Sequence, residues 1–172
     1  INPDGDALGS ALAFKLILDS KGVHADVSFD MKGTVPSNLN HLPIELILEN
    51  PKENYENVYV FDCGNSERLG DLEDLALNSK RVIVIDHHIN PSFGDVQIID
   101  SKAASTTQVL FREIISANID IDKNIANCLM TGLITDTGRF QYSNTDNEVF
   151  EIASKLMLSG AELTSISDNI YG

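Results

Sequence analysis

Val82-Ile83-Val84-Ile85-Asp86-His87-His88 is a run of four β-branched residues that ends on one carboxylate and two adjacent imidazoles. Four such residues without polar alternation read as a strand buried on both faces, the habit of a parallel sheet. Val58-Tyr59-Val60-Phe61, followed by Asp62, and Val96 to Ile99 are short runs of the same kind. Parallel strands need crossovers, and helical patterns lie around these runs. In an open parallel sheet, strand ends of like polarity share one edge, where ligands bind. Asp62 and Asp86-His87-His88 are therefore expected on one edge.

Outward from this centre, Leu8, Ala11, Leu12 and Leu16 recur at helical spacing. Residues 7–20 read as a helix ended by Gly22. Val23 to Phe29 alternates and reads as a strand. Residues 34–52 hold three of the five prolines and read as irregular or broken helix. Ser105-Thr106-Thr107-Gln108 has the form of a capping box and opens a helix to about Ala117. Asp122 caps another, carrying Ile125, Ala126, Leu129, Met130 and Leu133. Residues 146–159 and 162–170 read as two final helices. The expected fold is a three-layer α/β/α domain with a mostly parallel sheet of about five strands. Its first strand would run straight into Asn2, so residues are expected to precede Ile1.

Bulk properties narrow the function. The 172 residues suit one domain, and 42% apolar content is enough for a core. A net charge of −14 argues against gripping long nucleic acid through a basic surface. A small anionic substrate remains open, since a bound cation reverses the sign locally. Two cysteines, Cys63 and Cys128, form no disulfide framework and suit a reducing, cytoplasmic compartment. No apolar run approaches the roughly 20 residues of a membrane helix, and no signal peptide is visible.

Four acidic clusters carry the chemistry. In Asn2-Pro3-Asp4-Gly5-Asp6, two carboxylates stand just ahead of a helix start. Either would serve as a cap, but the pair before Gly9-Ser10 favours a metal or phosphate site. Asp62 ends a strand; alone it would be a cap or turn former. Cys63 beside it reads as a small buried residue rather than a nucleophile. Asp86-His87-His88 is the most specific cluster, with two of the four histidines. Adjacent side chains point apart, so one histidine can bind metal while the other faces substrate. His24 and His41 lack acidic strand ends and read as structural or solvent-facing. In Thr135-Asp136-Thr137-Gly138, the carboxylate falls at a helix C-terminus, poorly placed against the dipole unless a cation compensates. Arg139 follows as either an exposed ion pair or a phosphate clamp. Two carboxylates about 4 Å apart repel by about 4 kcal/mol at an effective dielectric of 20. Divalent cations would relieve this, which points to metal-assisted hydrolysis of a phosphate ester.

Asn2 to Ser10, Asp62, Asp86-His87-His88 and Thr135-Asp136-Thr137-Gly138 resemble the four ordered motifs of the DHH phosphoesterases. The resemblance runs over the whole chain. Asn2 to Ser10 together with Thr135 to Ser143 resembles the oligoribonuclease/pAp-phosphatase (nanoRNase-like) branch. Family-two pyrophosphatases usually carry Thr where this chain has Gly5. The resemblance implies two divalent cations, manganese by preference. It implies Asp62 as the ligand shared by both, Asp4 on the first, and Asp6, His87 and Asp136 on the second. It also implies His88 against the substrate phosphate, with Asp62 and His88 as catalytic residues and Arg139 as a substrate contact. The implied substrates are short oligonucleotides and 3′-phosphoadenosine 5′-phosphate. The alternatives are a cyclic or linear dinucleotide phosphodiesterase, or a silent metal- or nucleotide-binding domain. A homodimer is compatible; a membrane partner is not expected. The family's first motif begins with a histidine ligand that would fall just before Ile1, and nothing after Asp136 resembles its Gly-rich, His-containing substrate domain. The expectation is a DHH catalytic domain over 1–172, truncated at its N-terminus and without the C-terminal domain.

Overall fold

The computed structural model describes residues 2–30, 32–52 and 54–172. Three parallel strands lie in the order β1 (Asn57–Phe61), β2 (Arg81–Asp86), β3 (Val96–Ile99). Val58 pairs with Val82 and Ile85 with Ile98 in register. β2 is the central strand, and Val82 to Asp86 are buried throughout, as an apolar run without alternation requires. Val60, Val82 and Val84 face Leu69 and Phe93. Ile83 and Ile85 face the other way, against Ala103 and Val109. Helical segments thus cover both faces.

α1 (Gly5–Ser20), α3 (Thr106–Ser116) and α4 (Lys123–Asp136) build the larger side of the core. α2 (Glu73–Leu77) follows a 3-10 stretch, Ser66–Leu72, on the opposite side; α5 (Asn147–Leu158) and α6 (Leu163–Tyr171) pack behind α4. The α1–α4 contact is close because it is made through glycines. A Cβ on Gly9 would strike the Cys128 carbonyl oxygen, and one on Gly5 would sit 2.7 Å from Thr135 Oγ1. This proximity brings the start of α1 beside the end of α4.

The expected caps form. Asp4, Ser105 and Asp122 each accept backbone N–H groups at the starts of α1, α3 and α4, and Asp146, not read as a cap, does the same at α5. The box at α3 is modified: Ser105 accepts from Gln108, but Gln108 Oε1 accepts from Ala104 N at 2.7 Å rather than from the cap residue. Residues 34–52 hold only short 3-10 turns at Ser37–Leu39 and Ile44–Leu46, as their prolines imply.

The sheet has three strands among the described residues, where about five were expected. Val23 to Phe29 is extended but makes a single parallel bridge, Val27 to Ile47, and belongs to no sheet. Alternation supplied two faces for this segment, but β1 is not its neighbour. A groove of about 520 Å³ separates them, lined by Phe14, Val27, Phe29, Tyr59 and Phe61 and reaching Asn2 and Asp4. The strand expected ahead of Asn2 lies outside the described residues.

Candidate metal centre

Asp4 is the N-cap of α1; its Oδ1 accepts the N–H groups of Asp6 and Ala7 at 3.1 and 2.9 Å. Its Oδ2 accepts none among the described residues. Asp6, two residues later, is fully buried. Its two oxygens accept the first N–H groups of α3, from Thr106 at 2.7 Å and Thr107 at 2.9 Å. A helix N-terminus is a natural seat for a carboxylate. Asp62 follows β1 with φ 55°, a left-handed backbone that Asp adopts more readily than most residues with a side chain. Its N–H still continues the ladder to Ile85 O at 3.1 Å, and its Oδ1 accepts from Thr106 Oγ1 at 3.0 Å. Asp136 is the last residue of α4. Its carbonyl accepts from Asn144 Nδ2 at 2.9 Å.

His87 is where these carboxylates meet. Its Nδ1 donates to Ala103 O at 3.2 Å, which leaves Nε2 facing the acids. Nε2 lies 3.2 Å from Asp136 Oδ2, 3.5 Å from Asp62 Oδ1 and 3.7 Å from Asp6 Oδ2. Asp6, His87 and Asp136 place one donor atom each within 4.8 Å of one another, and so do Asp62, His87 and His88. These two groups overlap at His87; the second draws on His88, which was read as a substrate contact, and Asp4 falls in neither. The donors are hard oxygens and imidazole, the set that suits divalent manganese, cobalt or magnesium.

The electrostatics carry the same sign. Burial would lower the His87 pKa, but hydrogen bonds to Asp136 and Asp62 and the charge of Asp6 prevail and push it up to about 11. Burial, then the charges of Asp136 and Asp62, raise Asp6 well above the usual carboxylate range despite its two backbone bonds. Asp4 is raised by burial and, further, by Asp62 and Asp136, with the Ala7 N–H acting against. For Asp62 burial acts upward, but His87, His88 and the Thr106 hydroxyl outweigh it and hold its carboxyl low. A site that draws a proton onto His87 this firmly is short of positive charge. Cations would supply it, so the chain's residues fit the metals that the sequence implies.

His88 stands beside the cluster, its ring tilted against His87 with centroids 4.8 Å apart. Its side chain is less buried than that of His87. Arg139 has φ 59°, and its guanidinium lies 4.1 Å from the centre of the Tyr171 ring. It forms a cation–π contact, one that neither sequence reading contained. Cys63 is buried and its Sγ donates to Asn65 O; burial raises its pKa, as befits an inert thiol. His24 is exposed beside Asp26, and His41 bonds Thr131 Oγ1 at 2.9 Å, remote roles as read.

The sequence reading used Thr106 and Thr107 only as a helix start, and it placed Asp86 in the cluster without a role of its own. The signal for the threonines was present in Ser105-Thr106-Thr107, a helix start able to hold an anion. Their bond to Asp6 spans 100 residues and no local pattern reveals it. Asp86 is fully buried and bonds the backbone and ring of the residues after it.

Comparison with known proteins agrees with this geometry. The chain is 31% identical over 174 residues to the bifunctional oligoribonuclease and PAP phosphatase NrnA of Thermus thermophilus, covering 99% of this chain and 51% of that protein. The NrnA of Bacillus subtilis is 25% identical over 177 residues, covering 99% and 55%. An exopolyphosphatase-related protein from Bacteroides fragilis superposes with TM-score 0.88 at 30% identity, covering 99% of this chain and 54% of that one. The chain thus spans about half the length of these proteins. Residues 1–133 match the model of the DHH family, N-terminal domain, and with the site described above this establishes that the chain belongs to the DHH family.

Proposed function

We propose that the chain is the catalytic domain of a metal-dependent phosphoesterase that hydrolyses short oligonucleotides, 3′-phosphoadenosine 5′-phosphate, or both. One observation carries this reading: His87 Nε2 lies within 3.2–3.7 Å of Asp136, Asp62 and Asp6, which come from three separate elements. The similarity to NrnA proteins supports the substrate class.

Asp4, Asp6, Asp62, His87 and Asp136 would hold two divalent cations, with Asp62 shared. Bound there, such cations would supply charge to neutralise phosphoryl oxygens and to lower the pKa of a water. The chain's own groups do the rest. The α3 N-terminus fixes Asp6, and Thr106 Oγ1 fixes Asp62, so the ligand set is preorganised. His88 offers a ring to the equatorial oxygens of the phosphoryl group, where charge develops. Arg139, steadied on Tyr171, contacts the substrate's phosphate at the rim. No serine or cysteine nucleophile is needed. The enzyme works in the cytoplasm, and a protein segment beyond this domain completes the grip on substrate.

Phosphate release from 3′-phosphoadenosine 5′-phosphate and cleavage of a ribodinucleotide, each with manganese and with excess chelator, test the reading. Manganese-dependent turnover of either substrate is expected when the domain is tested joined to the segment that completes the grip. Absence of turnover of both, with manganese bound, rejects it.

A further inference from the structure

Asp86 closes β2 with both oxygens buried. Its Oδ1 receives two backbone N–H groups, from His87 at 2.7 Å and His88 at 3.1 Å, and lies 2.7 Å from His88 Nδ1. Its Oδ2 is buried with no hydrogen-bond partner among the described residues. A turn-forming role accounts for the two backbone bonds, and Asn or Ser would make it equally well. It does not account for a carboxylate. A further acid beside Asp62 and Asp6 adds repulsion to a site already rich in it.

The ring bond accounts for the acid. The oxygen that already accepts the two backbone N–H groups is the one that faces the ring, so it acts as an acceptor there too and the nitrogen facing it carries the proton. An amide could turn its NH2 toward the ring and reverse that order. With Nδ1–H committed to Asp86, Nε2 is the ring nitrogen of His88 without a partner among the described residues. The same bond removes Nδ1 from cation binding, although it also lies 3.5 Å from Asp62 Oδ1.

We propose that Asp86 is a positioning residue that holds His88 in its Nδ1–H form and presents Nε2 to the phosphoryl group. This rests on the reading that His88 meets the substrate. The unsatisfied Oδ2 is then the penalty accepted for a carboxylate at this position.

Two measurements test it. Nitrogen-15 spectra of the protein loaded with diamagnetic magnesium report which nitrogen of neutral His88 carries the proton. The Nδ1–H form is expected in the native protein, and Nε2–H should gain population in Asp86→Asn. A native His88 in the Nε2–H form overturns the proposal whatever the variants do. The second measurement is a kinetic cycle. Asp86→Asn should lower kcat about 10–100-fold with KM and bound metal unchanged. In a His88→Ala background, the same change should alter kcat by less than about 3-fold. An equal loss with and without His88 overturns Asp86's part alone. An unimpaired His88→Ala variant instead rejects the substrate role of His88, and the proposal falls with that reading.

Discussion

A Cβ on Gly132 would lie 2.8 Å from Oδ1 of Asp6 and against the side chain of Thr107. Gly132 of α4 therefore backs the Asp6 carboxylate on the side that Thr107 holds. Gly132→Ala should displace Asp6 from the α3 N-terminus. We expect manganese affinity to fall at least about tenfold, with a stability loss of about 1–3 kcal/mol from overpacking. Titration calorimetry and thermal melting of the variant separate the two effects. Undiminished affinity in a folded variant would exclude Asp6 as a ligand.

Cation binding should stabilise the fold, since the gathered acids exist only in the native state. At a free concentration about 100 times Kd, the gain is about 2.7 kcal/mol. Melting with manganese and with chelator reads it directly. An unchanged transition speaks against the site.

The response to pH follows from His87, whose folded pKa of about 11 exceeds its unfolded value of 6.5. A raised group contributes stability that is complete below the unfolded value and is lost as pH climbs toward the folded one. Asp4 and Asp6 are also raised, so their contributions likewise vanish with rising pH. Asp62 is lowered and acts oppositely, but only in acid. The chelated protein should melt progressively lower from about pH 6.5 to about pH 9, and saturating cation should flatten the slope. Binding should release about one proton, seen by calorimetry in buffers of different ionisation heat. A chelated protein that gains stability over this range contradicts the assignment.

Single substitutions should divide the site by role. Asp62→Ala and Asp136→Ala should abolish both turnover and tight metal binding. His88→Ala should lower turnover by roughly 10²–10⁴-fold while metal content holds. Metal analysis beside kinetics checks this, and a matching loss of metal in His88→Ala would make His88 a ligand.

The helices were legible wherever the chain carries its own cap. Asp122 and Ser105 sit within three residues of the N–H groups they accept, so local sequence sufficed. The strands around Asp62 and Asp86 were legible because burial on both faces leaves an unbroken β-branched run. Val23 to Phe29 misled because alternation records faces and not partners; pairing depends on a neighbour that local sequence cannot name. The acidic element ends that we propose as ligands could be read from local sequence. What could not be read is the support around them: Thr106 reaches Asp6 and Asp62 across 100 and 44 residues, and Gly132 matters only because α4 presses on α1.

α1 meets α4 at backbone distance, since a Cβ on Gly9 would strike the Cys128 carbonyl oxygen. A single added methyl there would part the helices that carry Asp6 and Asp136. The spacing of two acids is thus governed by a residue that has no chemistry of its own.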